Sequence, residues 1–426
     1  MAVEAAVTAR PTNARYGAFA FTLVMIAIAD LDRVCISTAA PSIQGELGLS
    51  DAQMSLVFSA FTLAYALFEI PSGWLADRFG ARVALSRIVV WWSAMTAATG
   101  FTGGFASLAA VRFLFGAGEA GALPSCARIY GRWLPARLHG RSFGVQLMAA
   151  AFGGAVTQPL VVALLTRIGW RLSFAVFGAV GLVWSALFWM WFRDDPRAHP
   201  SVNPAELALI EEGGAHTAPH APVPWRALAT NRTLIALCGM YFCAIYGWYF
   251  YITWLPTYLL RARGFDLQQV GWLAALPLLG IGLGSLTGGF AADHLRPRFG
   301  KRRGSALPGL VGLPLAAGAV CGAALTTEPL VAALLLASAA ALAAVGVAPA
   351  WAVCVEIGGT HSATVGGTMN TFGNIGGALC PVVMGFLVQR LGSWGLPLAS
   401  ISVLYLAAGA FWASVDPARA IGIQDR

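Results

Sequence analysis

Two clusters of ionisable residues stand inside otherwise apolar runs. Asp30, Asp32 and Arg33 lie near the middle of a run from about Tyr16 to Ala40, and Arg112 and Glu119 lie in a second run near residues 107–130. A charged side chain at the centre of a bilayer costs roughly 2.5–3.5 kcal/mol on insertion scales, so such groups normally face a protein interior or a water-filled cavity and have a partner. Two kinds of chemistry are on offer. A buried arginine stays charged and grips a carboxylate through two parallel hydrogen bonds, which makes Arg33 the candidate anchor for an anionic substrate. A buried carboxyl beside an arginine can take up and release a proton, which makes Asp32 and Glu119 the candidate proton-coupling acids, with Arg112 in the same group. Each has a plainer alternative. Arg33 can pair with Asp30, three residues earlier on nearly the same helix face, and either acid can be a fixed structural charge. Arg112 and Glu119 are two helical turns apart, roughly 10 Å by helix rise, so they need not touch; a neighbouring helix or a water can link them.

The elements that must position these groups are membrane helices. The chain is 58% hydrophobic and 11% charged, against about 25% charged residues in soluble domains. A spanning helix needs about 20 mostly apolar residues. Twelve candidate spans lie near 16–40, 52–75, 84–104, 107–130, 141–166, 170–192, 232–260, 269–292, 305–326, 329–357, 365–390 and 394–415. The runs lack period-two alternation and are too long for barrel strands. Of the 27 Lys and Arg behind the net charge of +8, Arg167, Arg171, Arg261, Arg263 and Arg390 fall on the outer side, Arg33 and Arg112 lie in the membrane, and the other twenty fall on the side of the termini. This positive-inside bias places both termini in the cytoplasm and accounts for the basic balance without nucleic acid. No cleavable signal is expected, since residues 1–15 are polar and the first apolar run is too long and too charged. The seven Cys are scattered with no metal spacing and read as small packing residues.

Composition breaks once, at residues 193–231, which hold six Pro, three His and five acids. This is a cytoplasmic linker between an N-terminal six-helix bundle, 1–192, and a C-terminal six-helix bundle with a short tail, 232–426. Asn203-Pro204-Ala205-Glu206 is expected to cap a short amphipathic surface helix, and the linker His199, His216 and His220 are expected to be solvated. The halves repeat a signal. Gly73-Trp-Leu-Ala-Asp77-Arg78-Phe-Gly80-Ala-Arg82 follows span 2, and Gly289-Phe-Ala-Ala-Asp293 with a basic loop follows span 8. Paired signals at matching places indicate a duplicated transporter fold. Asp77 can bridge basic groups at its helix end and on a neighbouring helix, a conformational latch formed with Gly73, Arg78, Gly80, Arg82 and Asp293; alternatively the loop only sets orientation. Gly280, Gly284 and Gly288 lie on one helix face and suit close helix packing.

The loop GWLADRFGAR resembles the signature of the major facilitator superfamily, G-x-L-x-D-R-x-G-x-R. Within it the chain resembles the anion:cation symporter family along almost its whole length. The resemblance is carried by Asp32-Arg33 with Pro41, by Tyr65 through Gly73 (YALFEIPSG), and by Arg112 with Gly116 through Pro124 (GAGEAGALP). Tyr249 through Tyr258 (YFYITWLPTY) and Gly366 through Gly377 (GGTMNTFGNIGG) complete it. The resemblance implies an all-α, twelve-helix major facilitator fold in a bacterial inner membrane, with uptake of an organic or sugar acid with protons by alternating access, the substrate binding near the midplane between two bundles. Family members carry hexonates, hexuronates, aldarates, phthalate and tartrate, and include the sialic acid carriers of animals. It also lifts Asn370 in span 11 as a substrate contact.

Several residues depart from that pattern or extend it. The family has an aromatic or small polar residue where this chain has Asp30, and its sugar-acid carriers place an amide in the middle of span 5, where this chain reads Gln146-Leu-Met-Ala-Ala150-Ala-Phe. A hydroxyl-rich hexonate is thereby less favoured than a smaller or more apolar carboxylate. Glu69 is expected to pair with a base near the inner gate, and Glu356 to meet only water near a cytoplasmic end. Span 7 holds Tyr241, Tyr246, Tyr249, Tyr251 and Tyr258 with Trp248 and Trp254. Tyr258 and Trp254 suit an interfacial belt, while the deeper tyrosines, Tyr246 in particular, are candidates to line a cavity with Tyr65, Trp351 and Asn370. There is no nucleophile elbow, P-loop, HExxH or CxxC, so neither an enzyme nor a cofactor or metal site is expected. The partners expected are a small organic anion, protons and the lipid bilayer, with the protein working as a monomer. An exchanger or exporter of the same fold, or a non-transporting sensor, is the alternative.

Overall fold

The computed structural model describes residues 10–212, 222–419 and 421, and among them all regular structure is helical. In chain order the α-helices are α1 (Ala14–Leu47), α2 (Asp51–Phe79), α3 (Ala81–Thr99), α4 (Phe105–Glu119), α5 (Ala122–Trp133) and α6 (His139–Trp191). The linker holds α7 (Pro204–Glu211) and α8 (Trp225–Thr230). Then come α9 (Arg232–Thr253), α10 (Leu255–Arg263), α11 (Leu267–Leu325), α12 (Pro329–Ala344), α13 (Val347–Gly358), α14 (Ser362–Leu391) and α15 (Gly395–Ser414). α6 bends at Gly169 and α11 at Gly300, so each is two spans in series. Six spans thus precede the linker: α1, α2, α3, the pair α4–α5 and the two arms of α6. Six follow it: the pair α9–α10, the two arms of α11, the pair α12–α13, α14 and α15. This is the expected all-α, twelve-span architecture. By length and composition, seven stretches among the described residues are apolar enough to cross a membrane, and two of these, Trp272–Leu325 and Pro329–Val388, run to 54 and 60 residues, room for two crossings each at about 20 residues per crossing.

Local sequence explains the starts. Ser50 with Gln53 and Asp266 with Gln269 form reciprocal capping boxes, and Asn203 and Asn231 cap α7 and α9 through their side-chain oxygens, each satisfying amide hydrogens that the first turn leaves without carbonyl partners.

Three spans expected to be continuous are broken. α4 gives way to α5 at Ala120–Gly121, α12 to α13 at Val345–Gly346, and α9 to α10 at Trp254. The first two breaks share a pattern, Gly121-Ala-Leu-Pro124 and Gly346-Val-Ala-Pro349, in corresponding spans of the two halves. Proline is tolerated in a first helical turn, where its missing N–H would have no partner, and not in a continuous interior. The pattern therefore ends one helix and starts another.

The chain forms two compact units. The first comprises Met1–Arg137, Phe152–Val223 and Gly358–Gly367; the second comprises Leu138–Ala151, Pro224–Ile357 and Thr368–Arg426. In the first, an apolar core joins the end of α1 (Cys35, Ile36, Ala39, Ile43) to Met54, Val57 and Leu108 and to Trp170, Phe174 and Phe177 of α6. The linker helix α7 forms where expected, with Pro204 and Ala208 exposed on one face and Ile210 buried on the other; one of its acids is also drawn inside. Its Glu206 is fully buried and accepts from the Arg15 guanidinium at 2.5 Å and from the backbone amides of Arg15 and Asn13 at 3.0 and 3.1 Å. His199 is not solvated either. It is 4% exposed, packed against Trp133 and Trp191. His216 and His220 lie outside the described residues.

In the second unit, Gly280, Gly284 and Gly288 lie against the backbone carbonyls of Ala337, Ala341 and Val345, and at Gly284 and Gly288 so close that a Cβ would force the helices apart, in keeping with the packing expected of them. Glu356 is not left to water: it pairs with Arg296 and, at 3.1 Å, with Lys301. Tyr258 is no belt residue. It is 1% exposed, and its hydroxyl accepts from Arg263 Nε at 2.6 Å.

Candidate functional site

In the first unit α1 and α4 bring the ionisable clusters together. Arg33 does not pair with Asp30 as its plainer alternative had it; its Nη2 and Nε reach Glu119 Oε1 at 2.6 and 2.9 Å. Glu119 is the last residue of α4 and its side chain is 1% exposed, whereas that of Arg33 is 41% exposed. The acid is therefore enclosed and the guanidinium still reachable. Tyr65 and Phe61 of α2 set their rings 5.3 and 5.4 Å from the Arg33 guanidinium carbon, which adds cation–π attraction and keeps the fork oriented. Arg112, one face of α4 further back, stands over Phe115 at 4.2 Å and Phe61 at 5.3 Å.

Asp32 is 1% exposed, and Glu119 and Arg112 are the charged groups that interact with it. Asp30 lies close to Arg33 and Glu119. Among the described residues, both carboxylate oxygens of Asp32, Glu119 Oε2, Asp30 Oδ2 and Arg112 Nε have no hydrogen-bond partner. A buried polar atom without a partner costs about 1–3 kcal/mol, more for a charged group. Such atoms are places for a proton or a water to land. The fold brings Arg33, Tyr65, Asp32, Glu119 and Arg112 into one neighbourhood, with Phe61 and Phe115, which the sequence analysis did not single out, as aromatic walls. Glu69 of α2 is fully buried.

The second unit holds the remaining substrate candidates. Trp351 of α13 is fully buried, with its indole Nε1 donating to Tyr241 Oη at 3.1 Å and its face stacked on Phe143 at 5.6 Å. Tyr246 of α9 is 3% exposed, with its hydroxyl 3.4 Å from Ser400 Oγ. Asn370 of α14 is 8% exposed.

The latch residues separate into two carboxylate caps. In the first unit Asp77 accepts from the backbone amides of Ala363 and Thr364 at 3.2 and 2.7 Å and from the Thr364 hydroxyl at 2.6 Å, at the start of α14. Arg128 of α5 also donates to it at 3.2 Å, both side chains being 2% exposed. A carboxylate there meets unpaired amides and the positive end of the helix dipole. Gly73 lies so close to the Ala363 carbonyl that a Cβ would stand 2.5 Å from its oxygen. Gly80 has φ 88°, a left-handed value suited to glycine. Arg78 and Arg82 turn away from Asp77. Arg78 lies over Trp74 and Phe79, while Arg82 donates through its side chain to the Trp189 carbonyl and through its amide to Asp194. In the second unit Asp293 repeats the arrangement, accepting from the amides of Gly140 and Arg141 at 3.2 and 2.8 Å at the start of α6. Arg128, which the sequence analysis did not single out, completes the contacts of Asp77 and also donates to the Thr360 carbonyl at 2.9 Å.

Comparison with known proteins agrees with this architecture. The profile described as Major Facilitator Superfamily matches residues 22–258 and 237–424. The chain is 38% identical over 394 residues to the "Probable sulfoacetate transporter SauU" of Cupriavidus necator, covering 91% of this chain and 90% of that one. It is 31% identical over 420 residues to the "Probable galactarate/D-glucarate transporter GudP" of Bacillus subtilis (94% and 91%), and 30% identical over 370 residues to the "Hexuronate transporter" of the same organism (85% and 86%). Among solved structures, an Escherichia coli fucose:proton symporter superposes with TM-score 0.72 at 15% identity, over 93% of this chain and 98% of that one. A human organic anion transporter superposes with TM-score 0.72 at 16% identity, over 93% and 99%; at these identities the two structures speak for the fold alone. With twelve spans, two carboxylate caps and a family profile over nearly the whole length, the chain belongs to the Major Facilitator Superfamily, and it is a multi-pass membrane transporter rather than an enzyme.

Proposed function

We propose that this transporter moves a small organic anion together with protons, by alternating access, across a bacterial inner membrane. Both termini are cytoplasmic and the working unit is the monomer. The observation that carries the reading is the Arg33–Glu119 pair, an enclosed acid holding an arginine that is still reachable. An incoming oxyanion competes with Glu119 for the same guanidinium fork. Protonating Glu119 removes its charge and releases the fork, so anion and proton enter together. Charge counting supports this: Asp30, Asp32 and Glu119 face Arg33 and Arg112, and one proton brings the ionised cluster to neutrality. Asp32 is the second proton site, with Arg112 holding the field between the two acids. Tyr65 contacts the bound anion beside Arg33, and Tyr246 and Asn370 are the second unit's substrate contacts. Trp351 acts by holding Tyr241 in place. Asp77, Arg128, Gly73, Gly80 and Asp293 make the conformational latch.

The substrate we favour is a compact oxyanion with few hydroxyls, a short carboxylate or sulfonate of the sulfoacetate type. Support comes from the 38% relative's name, from the apolar run Leu147 through Phe152 in span 5, and from the aromatic walls at Arg33. The test is uptake into proteoliposomes under an imposed pH gradient, with sulfoacetate, D-glucarate, D-glucuronate and a neutral sugar as probes. Accumulation of an anion that a proton uncoupler abolishes is the expected result. Counterflow with no net proton movement would replace symport by exchange, and binding without flux would make the protein a sensor.

A further inference from the structure

Helices α2, α3 and α4 border a cavity in the first unit, of about 370 Å³, lined by Phe68, Pro71, Leu75, Trp91, Phe113 and Leu114, with Arg87 and Ser72 as its polar side chains. Its volume falls in the range of small-ligand pockets, roughly 300–1,000 Å³. Phe68, Trp91 and Leu114 are 41%, 45% and 41% exposed, so the cavity opens on the outer surface of the helices, which in a membrane transporter meets lipid. Arg87 lies five residues into α3 from the basic loop at Arg82, roughly 8 Å along the helix. The residue is exposed and has no ion pair or hydrogen bond among the described residues. An arginine in that position extends its head toward the interface, where acidic head groups lie.

We infer that this cavity binds an anionic phospholipid from the leaflet on the side of the basic loop, its phosphate on Arg87 and an acyl chain along Phe68, Leu75, Phe113 and Leu114. Three features on the structure fit that one occupant: an unpaired cation at one end, an apolar slot at the other, and an opening toward the bilayer. The Trp91 indole ties α3 to α4 along the slot by donating to the Leu114 carbonyl at 2.8 Å. Basic pockets between membrane helices take acidic head groups by this chemistry.

Native mass spectrometry of the delipidated full-length protein, titrated with phosphatidylglycerol, phosphatidylcholine or inorganic phosphate, tests the assignment. Phosphatidylglycerol is expected to bind at one site in preference to phosphatidylcholine. Arg87→Gln should cut that preference roughly fivefold, the worth of one basic residue near an anionic surface, and Arg87→Lys should largely keep it. Ala117 also lines the slot, and Ala117→Phe, which fills it and leaves Arg87 intact, should abolish saturable lipid binding; thermal unfolding of all three variants checks that each is folded. Equal binding of the two lipids, undiminished preference in folded Arg87→Gln, or competition by inorganic phosphate alone at equal concentration would overturn the proposal. Because no readout involves transport, failure here leaves the Arg33–Glu119 reading untouched, and failure of that reading leaves this one untouched.

Discussion

Replacing Glu119 by glutamine separates anion binding from proton coupling. Gln keeps the shape and an acceptor oxygen but carries no charge, so it stands permanently for the protonated acid. Arg33 makes two bonds to Glu119 Oε1, at 2.6 and 2.9 Å. A hydrogen bond to a charged group is worth about 1.5–3 kcal/mol and a neutral one about 0.5–1.5, so neutralisation weakens the hold by roughly 1 kcal/mol per bond. The Arg33 side chain is 41% exposed, and solvent screening reduces the two-bond total to about 1 kcal/mol. An anion competing for Arg33 should then bind about fivefold more tightly to Glu119→Gln than to the parent with its ionised acid. Calorimetric titration with the strongest binder of the anion panel measures this. In proteoliposomes the variant should exchange anion across the membrane and fail to accumulate it under a pH gradient. Undiminished accumulation would remove Glu119 from the coupling role and pass it to Asp32 or Asp30. Loss of binding would show instead that the ionised acid is needed to hold Arg33 in place.

Arg33→Ala should abolish anion binding and transport in calorimetry and uptake alike, and Arg33→Lys should restore little, since an ammonium lacks the guanidinium's planar fork. Asp77→Asn removes the charge from both the Arg128 pair and the amides at the start of α14; breaking a buried pair costs roughly 3–5 kcal/mol. A cysteine at Ser362, 1% exposed in the parent, should accordingly react with a maleimide at least tenfold faster in a background lacking the native cysteines, and an unchanged rate would deny the latch. His199, outside the spans, should make stability fall in acid. Burial holds its pKa below the ordinary 6.5, and its neutral ring accepts from the Ser201 amide at 3.2 Å through Nδ1. Its stabilising contribution is present above about pH 6.5 and lost as pH drops through the lower folded value. His199→Asn should flatten the dependence of thermal unfolding between pH 7.5 and 5.5.

The twelve spans and the two Asp-bearing signals were legible because they are written in composition and in fixed spacing. Asp32, Arg33, Arg112 and Glu119 were legible because a charge in an apolar run needs a reason. What could not be read was who touches whom. Arg128 is 51 residues from Asp77 and sits among basic residues whose number alone already explained orientation, so nothing local singled it out. Glu206 read as an ordinary first-turn acid of a surface helix, and only the fold shows that Arg15 and two backbone amides enclose it. The breaks at Gly121 and Gly346 were hidden for a different reason. Apolar periodicity is uninformative in a helix that is apolar all round, and the paired G-x-x-P spacing was the one available sign.

The break at Ala120–Gly121 also divides labour along a single span. A continuous helix behaves as a stiff rod, so a displacement at one end is carried to the other. Here α4 ends on Glu119, and α5 begins at Ala122 and carries Arg128. The joint between them is a glycine at φ 90°. On the proposed function, loading or unloading the acid would shift one segment while the other absorbed the change as torsion at two residues. The span would then work as a crank with a pivot, and the substitution that would seize it is one that forces Gly121 out of its left-handed geometry while leaving every charged residue in place.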